Sequence, residues 1–385
     1  MTKRTSFSPF GESNLNGNKD GRNIHTCATP PFVQTINGAE EPQMDTCNTN
    51  KSVDDLATKE EKKMIIPSLI LPKTDKPIVV ILTPELNDTY SGDSWRFSFD
   101  QLAAKFQMIG AHAISLPWPK APIIHNSSSS IRYVANLAWG YHTIVDRWTK
   151  WLHSWPKDTI LINSPSLLLW NTRKTYLKEL EKANISVIPT LYVEQIDEKI
   201  LNDAAAHFSS SDLIVKPQVS ASGFNMVRVL VGSSDFASSP KSLSVTAAID
   251  ELIRLGAAQS ASMIQPFMPD VIREGEVSVL MFAGRLSHAV RKCASPDDYR
   301  VQHEYGGIAT VIDQPSAEII ELAHASLAIC PETPIYARID MIHDHLNRRW
   351  CISELELIEP YLFLNEAPDG GLTFARAIMQ FPYLS

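Results

Sequence analysis

The stretch IYARIDMIHDHLNRRWCISELELI, residues 335–358, is the part of the sequence that most directly decides the fold. It reads as two β-strands, over 335–342 and 350–358, which a polar turn joins into a hairpin. Charged and apolar residues alternate along both strands, so that one face of the hairpin is apolar. The sequence therefore predicts a hairpin whose apolar face is buried and whose other face carries ionisable side chains.

Three carboxylates are expected on that second face. Arg338 and Asp340 share one side of the first strand, and Glu354 and Glu356 share one side of the second. A short hairpin can bring Asp340 opposite the two glutamates, where the three carboxylates would repel each other unless a divalent cation or a basic group joins them. A solvent-exposed sheet face with salt bridges gives the same pattern. The apolar residues between the charges favour the alternative of a Mg²⁺ site.

Cations recur upstream of the hairpin. Strands over 276–282 and 286–292 are joined at Ala283-Gly284, and the second strand ends in Arg291. A polar loop follows. Each cation alone is more typical of a solvated side chain than of a ligand. Together, these residues could surround a triphosphate in an otherwise acidic chain: Lys174, Lys216, Arg291, Lys292, Arg300 and Arg338.

Lys216 lies at the end of the predicted strand Asp212–Pro217, just before the small-residue turn Ser220-Ala-Ser-Gly223. It is either a lysine whose ammonium extends into solvent or a phosphate ligand, and its position alone does not decide between them. The turn lacks the Gly-x-x-x-x-Gly-Lys spacing of a Walker A loop. Before this strand, the pattern predicts a helix that Asn171 or Thr172 caps.

The rest of the chain divides by composition and periodicity. Of the first 60 residues, 27 are Asn, Gly, Pro, Ser or Thr, which predicts a disordered tail over 1–65. Strands and helices alternate over 66–170, as in a small and mostly parallel α/β domain. Hairpins mixed with helices predict two α+β units, over 171–265 and 266–385.

Composition excludes several classes of protein. Lys and Arg number 35 against 43 Asp and Glu, giving a net charge of −8, which disfavours a nucleic-acid surface. No apolar run approaches the roughly 20 residues of a membrane span. Five cysteines without a Cys-x-x-Cys pair predict reduced thiols in the cytoplasm. The histidines have no spacing typical of metal ligands, and His343 and His345 are expected to be exposed in the hairpin turn.

Taken in order, seven segments of the sequence resemble the ATP-grasp superfamily. They are WNTRKTYL (170–177), LIVKP (213–217), MIQPFMPDV (263–271), EGEVSVLMFAGRLSHAVRK (274–292), YRVQHEYGG (299–307), YARIDMI (336–342) and ELELIEP (354–360). The nearest resemblance is to the branch of glutathione-synthetase-like ligases that includes O-ureido-serine cyclo-ligase. It implies an ATP-grasp fold, in which an N-terminal α/β domain precedes two α+β subdomains that clasp ATP.

The resemblance also implies a role for individual residues. The expected ATP contacts are Lys174 and Lys216 at the phosphates, Ser222 and Gly223 in the covering turn, Gln265, Pro266, Phe267 and Met268 at the adenine hinge, and Glu276 at the ribose. The expected catalytic residues are Arg291 at the transferred phosphate, Arg300 at the substrate carboxylate or acyl phosphate, and Arg338 at the charge developing on that phosphate. The expected ligands of two Mg²⁺ ions, with Mn²⁺ as a substitute, are Asp340, Glu354 and Glu356.

The function that the resemblance implies is ATP-dependent activation of a small, amino acid-like carboxylate. The carboxylate would become an acyl phosphate, with release of ADP, and an amine nitrogen of the same or another molecule would then displace the phosphate. Two alternatives stay open: an ATP-grasp kinase that phosphorylates a small molecule, and a non-catalytic nucleotide-binding protein. Expected partners are small molecules only, with neither nucleic acid nor membrane, and the resemblance alone suggests a homodimer.

Overall fold

The computed structural model describes residues 74–85, 94–122, 131–232 and 240–381. The tail over 1–65, for which the sequence predicts disorder, lies outside these residues. None of the helices in the described ranges combines the length and the apolar character that crossing a membrane requires.

The first sheet is parallel, with its strands in the order β2-β1-β3-β4. All six residues of β1 are buried, as is typical of a parallel strand that is covered on both faces. This confirms the α/β character expected of this part of the chain. The elements are β1 (Ile78–Thr83), α1 (Trp95–Met108), β2 (His112–Pro117), β3 (Ile131–Val134), α2 (Val145–His153) and β4 (Ile160–Ile162), with 3-10 turns at Trp118–Lys120 and Tyr141–Ile144.

Two short helices, α3 (Pro165–Thr172) and α4 (Leu177–Lys182), connect the first sheet to the second. A 3-10 turn over Lys174–Tyr176 separates them. The prediction that Asn171 or Thr172 caps a helix was wrong. Both residues end α3, and the cap of that helix is Ser164, whose hydroxyl accepts a hydrogen bond from the backbone N–H of Leu167.

The second sheet has the strand order β5-β9-β6-β7-β8, and two amphipathic helices cover it. Both helices have a side-chain cap, because Asp197 and Ser244 accept hydrogen bonds from backbone N–H groups of the first turn. The elements are β5 (Leu191–Val193), α5 (Glu198–Phe208), β6 (Asp212–Pro217), β7 (Val227–Leu230), β8 (Ser242–Ser244), α6 (Val245–Arg254) and β9 (Ser262–Pro266).

The third sheet is antiparallel, with the order β12-β11-β10-β13-β14, and it contains the hairpin predicted over 335–358. Neither β12 nor the C-terminal helix α9 is among the elements predicted from the sequence. The elements are α7 (Asp270–Arg273), β10 (Glu276–Phe282), β11 (Arg285–Cys293), β12 (Ile308–Val311), α8 (Ala317–Leu327), β13 (Tyr336–Asp344), β14 (Arg349–Glu356) and α9 (Leu372–Gln380), with a 3-10 turn at His303–Tyr305.

The two faces of the third sheet have different neighbours. Val277, Ile339 and Leu355 face a core that includes residues of α3, α4 and α8. Leu280 and Tyr336 belong to the opposite face, which packs against β1 and α9. Because side chains alternate, Arg338 and Asp340 lie on the same face as Tyr336. The charged face predicted from the sequence therefore looks toward the first sheet.

Candidate functional site

A β-bulge brings the carboxylates of the hairpin together. Asp340 pairs with Glu354, but the next residue of β13, Met341, pairs with Ile352, so that Ser353 is an extra residue in β14. Without this extra residue, Glu354 would face the side opposite to Asp340. The bulge therefore explains why the carboxylates share one face, which the spacing of the sequence alone does not guarantee.

Arg338 lies at the centre of these carboxylates. Its Nε and Nη2 atoms donate to the two carboxylate oxygens of Asp340, both at 2.9 Å, and Nη2 also donates to Glu356 Oε1. Such bidentate pairs hold a guanidinium in a defined plane. Only 10% of the Arg338 side chain is exposed, so its position is set by ion pairs rather than by solvent.

A second cation, Lys292, joins the carboxylates from β11. Its Nζ lies 2.6 Å from Glu276 Oε2 and 3.1 Å from Asp340 Oδ2. Two hydroxyls complete this network, because Ser278 donates to Asp340 and Ser353 donates to Glu276, each at 2.6 Å. Burial opposes the charge of Lys292, but the two carboxylates outweigh burial and raise the pKa of its ammonium.

Arg291, expected at the transferred phosphate, lies on the other face of the sheet. It pairs with Val277, which belongs to the core on the opposite side, and its Nη1 donates to the backbone carbonyl of Glu274. The reason is a second bulge, in which Ser287 is the extra residue of β11. Without it, Arg291 would oppose Glu276; with it, Lys292 does. In this structure Lys292, rather than Arg291, lies on the face of the carboxylate cluster.

Lys174 links the second sheet to the hairpin. Its Nζ lies 2.8 Å from Glu354 Oε1 and donates to the carbonyl of Ser220, in the small-residue turn. Its backbone N–H donates to the carbonyl of Gln218 at 2.8 Å. The Lys174 side chain is 5% exposed. One buried ammonium thus contacts both the turn and the carboxylate cluster.

Lys216 extends from β6 toward the same group of charges. Burial lowers the pKa of its ammonium, and the attraction of Glu354 offsets this effect only in part because Lys174 repels it. No carboxylate oxygen of the described residues lies within ion-pairing distance of Lys216. A half-buried ammonium without such a partner is suited to an anion that binds from outside, as in the phosphate interpretation of the sequence.

Side chains from the connecting segment hold the edge strand β14 in place. Asn171 donates to the carbonyl of Leu355 and accepts from the N–H of Leu357, at 3.0 and 2.9 Å. The Tyr176 hydroxyl lies 3.0 Å from both the carbonyl and the N–H of Leu355. These bonds satisfy an otherwise unpaired strand edge. They therefore fix the backbone that carries Glu354 and Glu356.

The small-residue turn packs against the polar loop that contains Arg300. Ser222 and Gly223 have φ values of +48° and +66°, and a Cβ added to Gly223 would lie 3.3 Å from Tyr305 Cε2. The guanidinium of Arg300 lies 3.5 Å from the centre of the Tyr305 ring and forms a bidentate pair with Asp298. Arg300 is therefore beside the turn but does not contact the carboxylates.

The segment Gln265–Met268, predicted to form the adenine hinge, connects the second sheet to the third. Gln265 donates to Thr190 Oγ1 at 2.8 Å, and the backbone N–H of Phe267 donates to the backbone carbonyl of Asp212 at 2.8 Å. The Phe267 ring is buried beneath the guanidinium of Arg228, at 3.5 Å. Pro266 ends β9 and Met268 packs against the same core as Phe267.

Burial and mutual repulsion alter the acidity of the cluster. Burial would raise the pKa of Asp340, but Arg338 and Lys292 outweigh it and hold that pKa well below its usual range. Burial raises the pKa of Glu356 to about 8, with Arg338 opposing the change and Glu354 adding to it. Glu359 was not foreseen; burial and Glu356 raise its pKa well above the usual value. Burial therefore favours the neutral forms of Glu356 and Glu359, and a bound cation would favour their charged forms.

A narrow cavity borders this cluster on the side of the first sheet. It is lined by Ser98, Gln101 and Asn136 and by residues 360–364, and the carbonyl of Tyr361 accepts a hydrogen bond from Arg338 at 3.4 Å. Asn136 is fully buried, and neither polar atom of its side chain has a hydrogen-bond partner among the described residues. An unsatisfied buried amide at a cavity wall points to an absent ligand or water.

Comparison with known proteins agrees with this geometry. No protein-family model matches the chain. The cycloserine biosynthesis protein DcsG of Streptomyces lavendulae is 28% identical over 236 residues, which are 58% of this chain and 73% of that protein. The crystal structure of the D-cycloserine synthetase DcsG superposes with a TM-score of 0.64 at 22% identity, over 80% of this chain and 100% of that one.

More distant structures have the same fold. A RimK-domain ATP-grasp protein of Sphaerobacter thermophilus gives a TM-score of 0.53 at 17% identity, over 79% of this chain and 98% of that one. D-alanine–D-alanine ligase of Bacillus anthracis, complexed with ATP, gives a TM-score of 0.53 at 13% identity, over 79% of this chain and 96% of that one. The chain therefore has the fold of ATP-grasp ligases, as the resemblance in the sequence implied.

Proposed function

We propose that this chain is an ADP-forming carboxylate–amine ligase that activates a small, amino acid-like carboxylate as an acyl phosphate. The support is a single charged face on which Arg338 is paired to Asp340 and Glu356, while Lys174 is paired to Glu354. A non-catalytic nucleotide-binding protein would have no need to bury this many charges beside a cavity.

ATP would bind between the second and third sheets. Lys174 and Lys216 would contact its phosphates, with Ser222 and Gly223 closing over them through backbone N–H groups. The chain from Gln265 through Pro266 and Phe267 to Met268 would border the adenine, and Glu276 would accept from the ribose hydroxyls. Glu276 is already held by Lys292 and Ser353, so little ordering would accompany binding.

The carboxylates fit Mg²⁺ by their chemistry. Asp340, Glu354 and Glu356 offer hard oxygen donors, which are the ligands that Mg²⁺ prefers. Mg²⁺ bound there would neutralise phosphate oxygens and so reduce their repulsion of an attacking carboxylate. Arg338 and Lys292 already hold the carboxylate of Asp340 in place, so its oxygens would bind Mg²⁺ without a movement of the side chain.

Arg338 is placed to stabilise the charge that develops as the γ-phosphoryl group passes to the substrate carboxylate. Its guanidinium joins the carboxylate cluster to the carbonyl of Tyr361, at the wall of the cavity. We assign to Lys292, rather than to Arg291, the supply of further positive charge on this face. Arg300 would reach the substrate carboxylate once it exchanges its pair with Asp298.

The nature of the substrate is argued from the relatives. The relatives named D-cycloserine synthetase and D-alanine–D-alanine ligase favour a small amino acid derivative. The free thiols Cys330 and Cys351 support the cytoplasm as the proposed compartment.

The proposal is tested by screening amino acids and amines for ADP release, with hydroxylamine added to trap acyl phosphates. The expected result is carboxylate-dependent ADP formation and a hydroxamate. Arg338→Ala should abolish both, whereas Arg285→Ala, an exposed arginine of the same sheet, should leave both unchanged. A stable phosphate ester as product would instead identify a kinase and overturn the proposal.

A further inference from the structure

A second group of metal-ligand side chains lies outside the carboxylate cluster. Asp270 and Glu274, at the two ends of α7, meet His343 of β13. One ligand atom of each residue lies within 4.8 Å of the others. The sequence analysis expected His343 to be exposed in the hairpin turn; instead, its side chain is only 26% exposed.

The distances within this group match those between the ligands of a small divalent ion. His343 Nδ1 lies 3.3 Å from Asp270 Oδ2 and 3.7 Å from Glu274 Oε2. Ligands bound to Zn²⁺ at about 2.0–2.1 Å in a tetrahedron are separated by about 3.3 Å. The nitrogen and the two carboxylate oxygens could therefore bind one ion with small side-chain adjustments.

The surroundings of the imidazole nitrogen of His343 also suit a metal ligand. His343 Nδ1 is inaccessible to solvent, yet it has no hydrogen-bond partner of acceptable geometry among the described residues. The ring packs at 5.2 Å from the ring of Trp350, which limits its rotation. A buried nitrogen fixed between two carboxylates, without a hydrogen bond to either, has the surroundings of a metal ligand.

Neighbouring groups hold Asp270 in position. His345 donates its backbone N–H to Asp270 Oδ2 at 3.0 Å, and its Nδ1 lies 2.9 Å from Oδ1. Nε2 of His345 lies 3.4 Å from Arg273 Nη1, which assigns the proton to Nδ1. The Asp270 side chain is 2% exposed. His345 is thus a positioning residue, of the kind that orients a metal-bound carboxylate.

We infer that Asp270, Glu274 and His343 form a binding site for a divalent transition-metal ion, distinct from the Mg²⁺ cluster. Asp340 and His343 are three residues apart on β13, so their side chains leave opposite faces of the strand and are separated by about 10 Å along it. The mixed nitrogen and oxygen donors favour Zn²⁺ over Mg²⁺. The ion would join α7, just after the hinge, to the hairpin that carries the catalytic carboxylates.

The test measures metal binding by the full chain, freed of metal with a chelator and studied without Mg²⁺ or nucleotide. Calorimetric titration with Zn²⁺ should show one tightly bound ion per chain, referred to below as the tight equivalent. Co²⁺ bound at the same site should give visible d–d absorption bands. His343→Gln and Glu274→Gln should each weaken binding by at least about tenfold, and His345→Gln by about 10–100-fold. Because Glu274 is half-exposed, Glu274→Gln should fold normally.

Two matched controls locate the ion. Glu354→Gln, in the carboxylate cluster, and His324→Gln, an exposed histidine of α8, should leave the tight equivalent unchanged. The inference is overturned if the parent chain has no tight equivalent, if Glu274→Gln and His343→Gln leave it intact, or if Glu354→Gln removes it. None of these measurements depends on ATP turnover, so they remain informative if the proposed ligase activity fails.

Discussion

Replacing Lys292 by methionine isolates the contribution of one buried cation to the charged face. The Lys292 side chain is 6% exposed and lies between Glu276 and Asp340. Methionine has a similar length but no charge, so the substitution leaves two buried carboxylates with less compensation. Loss of one partner from a buried ion pair costs about 3–5 kcal/mol.

The remaining contacts place the cost at the lower end of this range. Asp340 keeps its bidentate pair with Arg338 and the hydroxyl of Ser278, and Glu276 keeps the hydroxyl of Ser353. We therefore expect Lys292→Met to lower the free energy of unfolding by about 3 kcal/mol near neutral pH. Urea unfolding followed by tryptophan fluorescence measures this loss.

The dependence of this loss on pH has a defined sign. The folded-state pKa of Asp340 is depressed, so its ion pairs contribute stability above its unfolded pKa, and that contribution is lost as the pH falls through the folded pKa. Without Lys292, Asp340 takes up its proton at higher pH. The difference in unfolding free energy between the variant and the parent should therefore be largest near pH 7 and smaller near pH 4.

A matched control is Lys199→Met, at an exposed lysine of α5, which should leave the unfolding midpoint unchanged. A Lys292→Met variant as stable as the parent, or one whose deficit grows as the pH falls, would refute the argument that Lys292 compensates buried carboxylates.

Three further changes test other parts of the account. Glu354→Gln should abolish turnover and reduce the Mg²⁺-dependent stabilisation by nucleotide, with an unchanged circular dichroism spectrum; turnover at the parent rate would remove Glu354 from the metal site. Gly223→Ala should weaken ATP binding with little change in melting temperature, because a positive φ costs alanine about 1 kcal/mol and its Cβ would contact Tyr305; calorimetry with ATP measures this. Burial lowers the pKa of His288, so the parent chain should lose stability as the pH falls below about 6.5. His288→Gln should lose less stability over the same range, as measured by thermal melts from pH 7 to about 5. An equal loss of stability in the variant and the parent would contradict this prediction.

The hairpin over 335–358 could be predicted because charged and apolar residues alternate along it, which places them on opposite faces of a strand whatever the rest of the fold. Its turn and its apolar face follow the pattern, whereas the pairing of Asp340 with Glu354 also needs the bulge at Ser353. The cap of α3 could not be predicted in the same way. Asn171 has the chemistry of a cap, but its amide instead pairs with the edge of β14, a contact between residues 184 positions apart.

The two bulges mark the limit of prediction from sequence at the site. A two-residue turn at Ala283-Gly284 implies that Glu276 faces Arg291, and only the extra residue Ser287 brings Lys292 there instead. The extra residue Ser353 likewise turns both its own hydroxyl and Glu354 toward the cluster. Neither extra residue is a glycine or proline, so the sequence contains no local signal for either bulge. The register is fixed instead by the packing of the two sheet faces.

The central claim is that the γ-phosphoryl group of ATP passes to a carboxylate oxygen of the substrate. A substrate found by the ADP-release screen should be labelled with ¹⁸O in its carboxylate and incubated with the chain, ATP, Mg²⁺ and the amine, and nucleotide and phosphate should be followed by mass spectrometry. The account predicts ADP and one ¹⁸O atom in each inorganic phosphate released, because the attacking oxygen leaves with the phosphate. Formation of AMP and pyrophosphate, or of ADP with the label retained in the substrate, would contradict it.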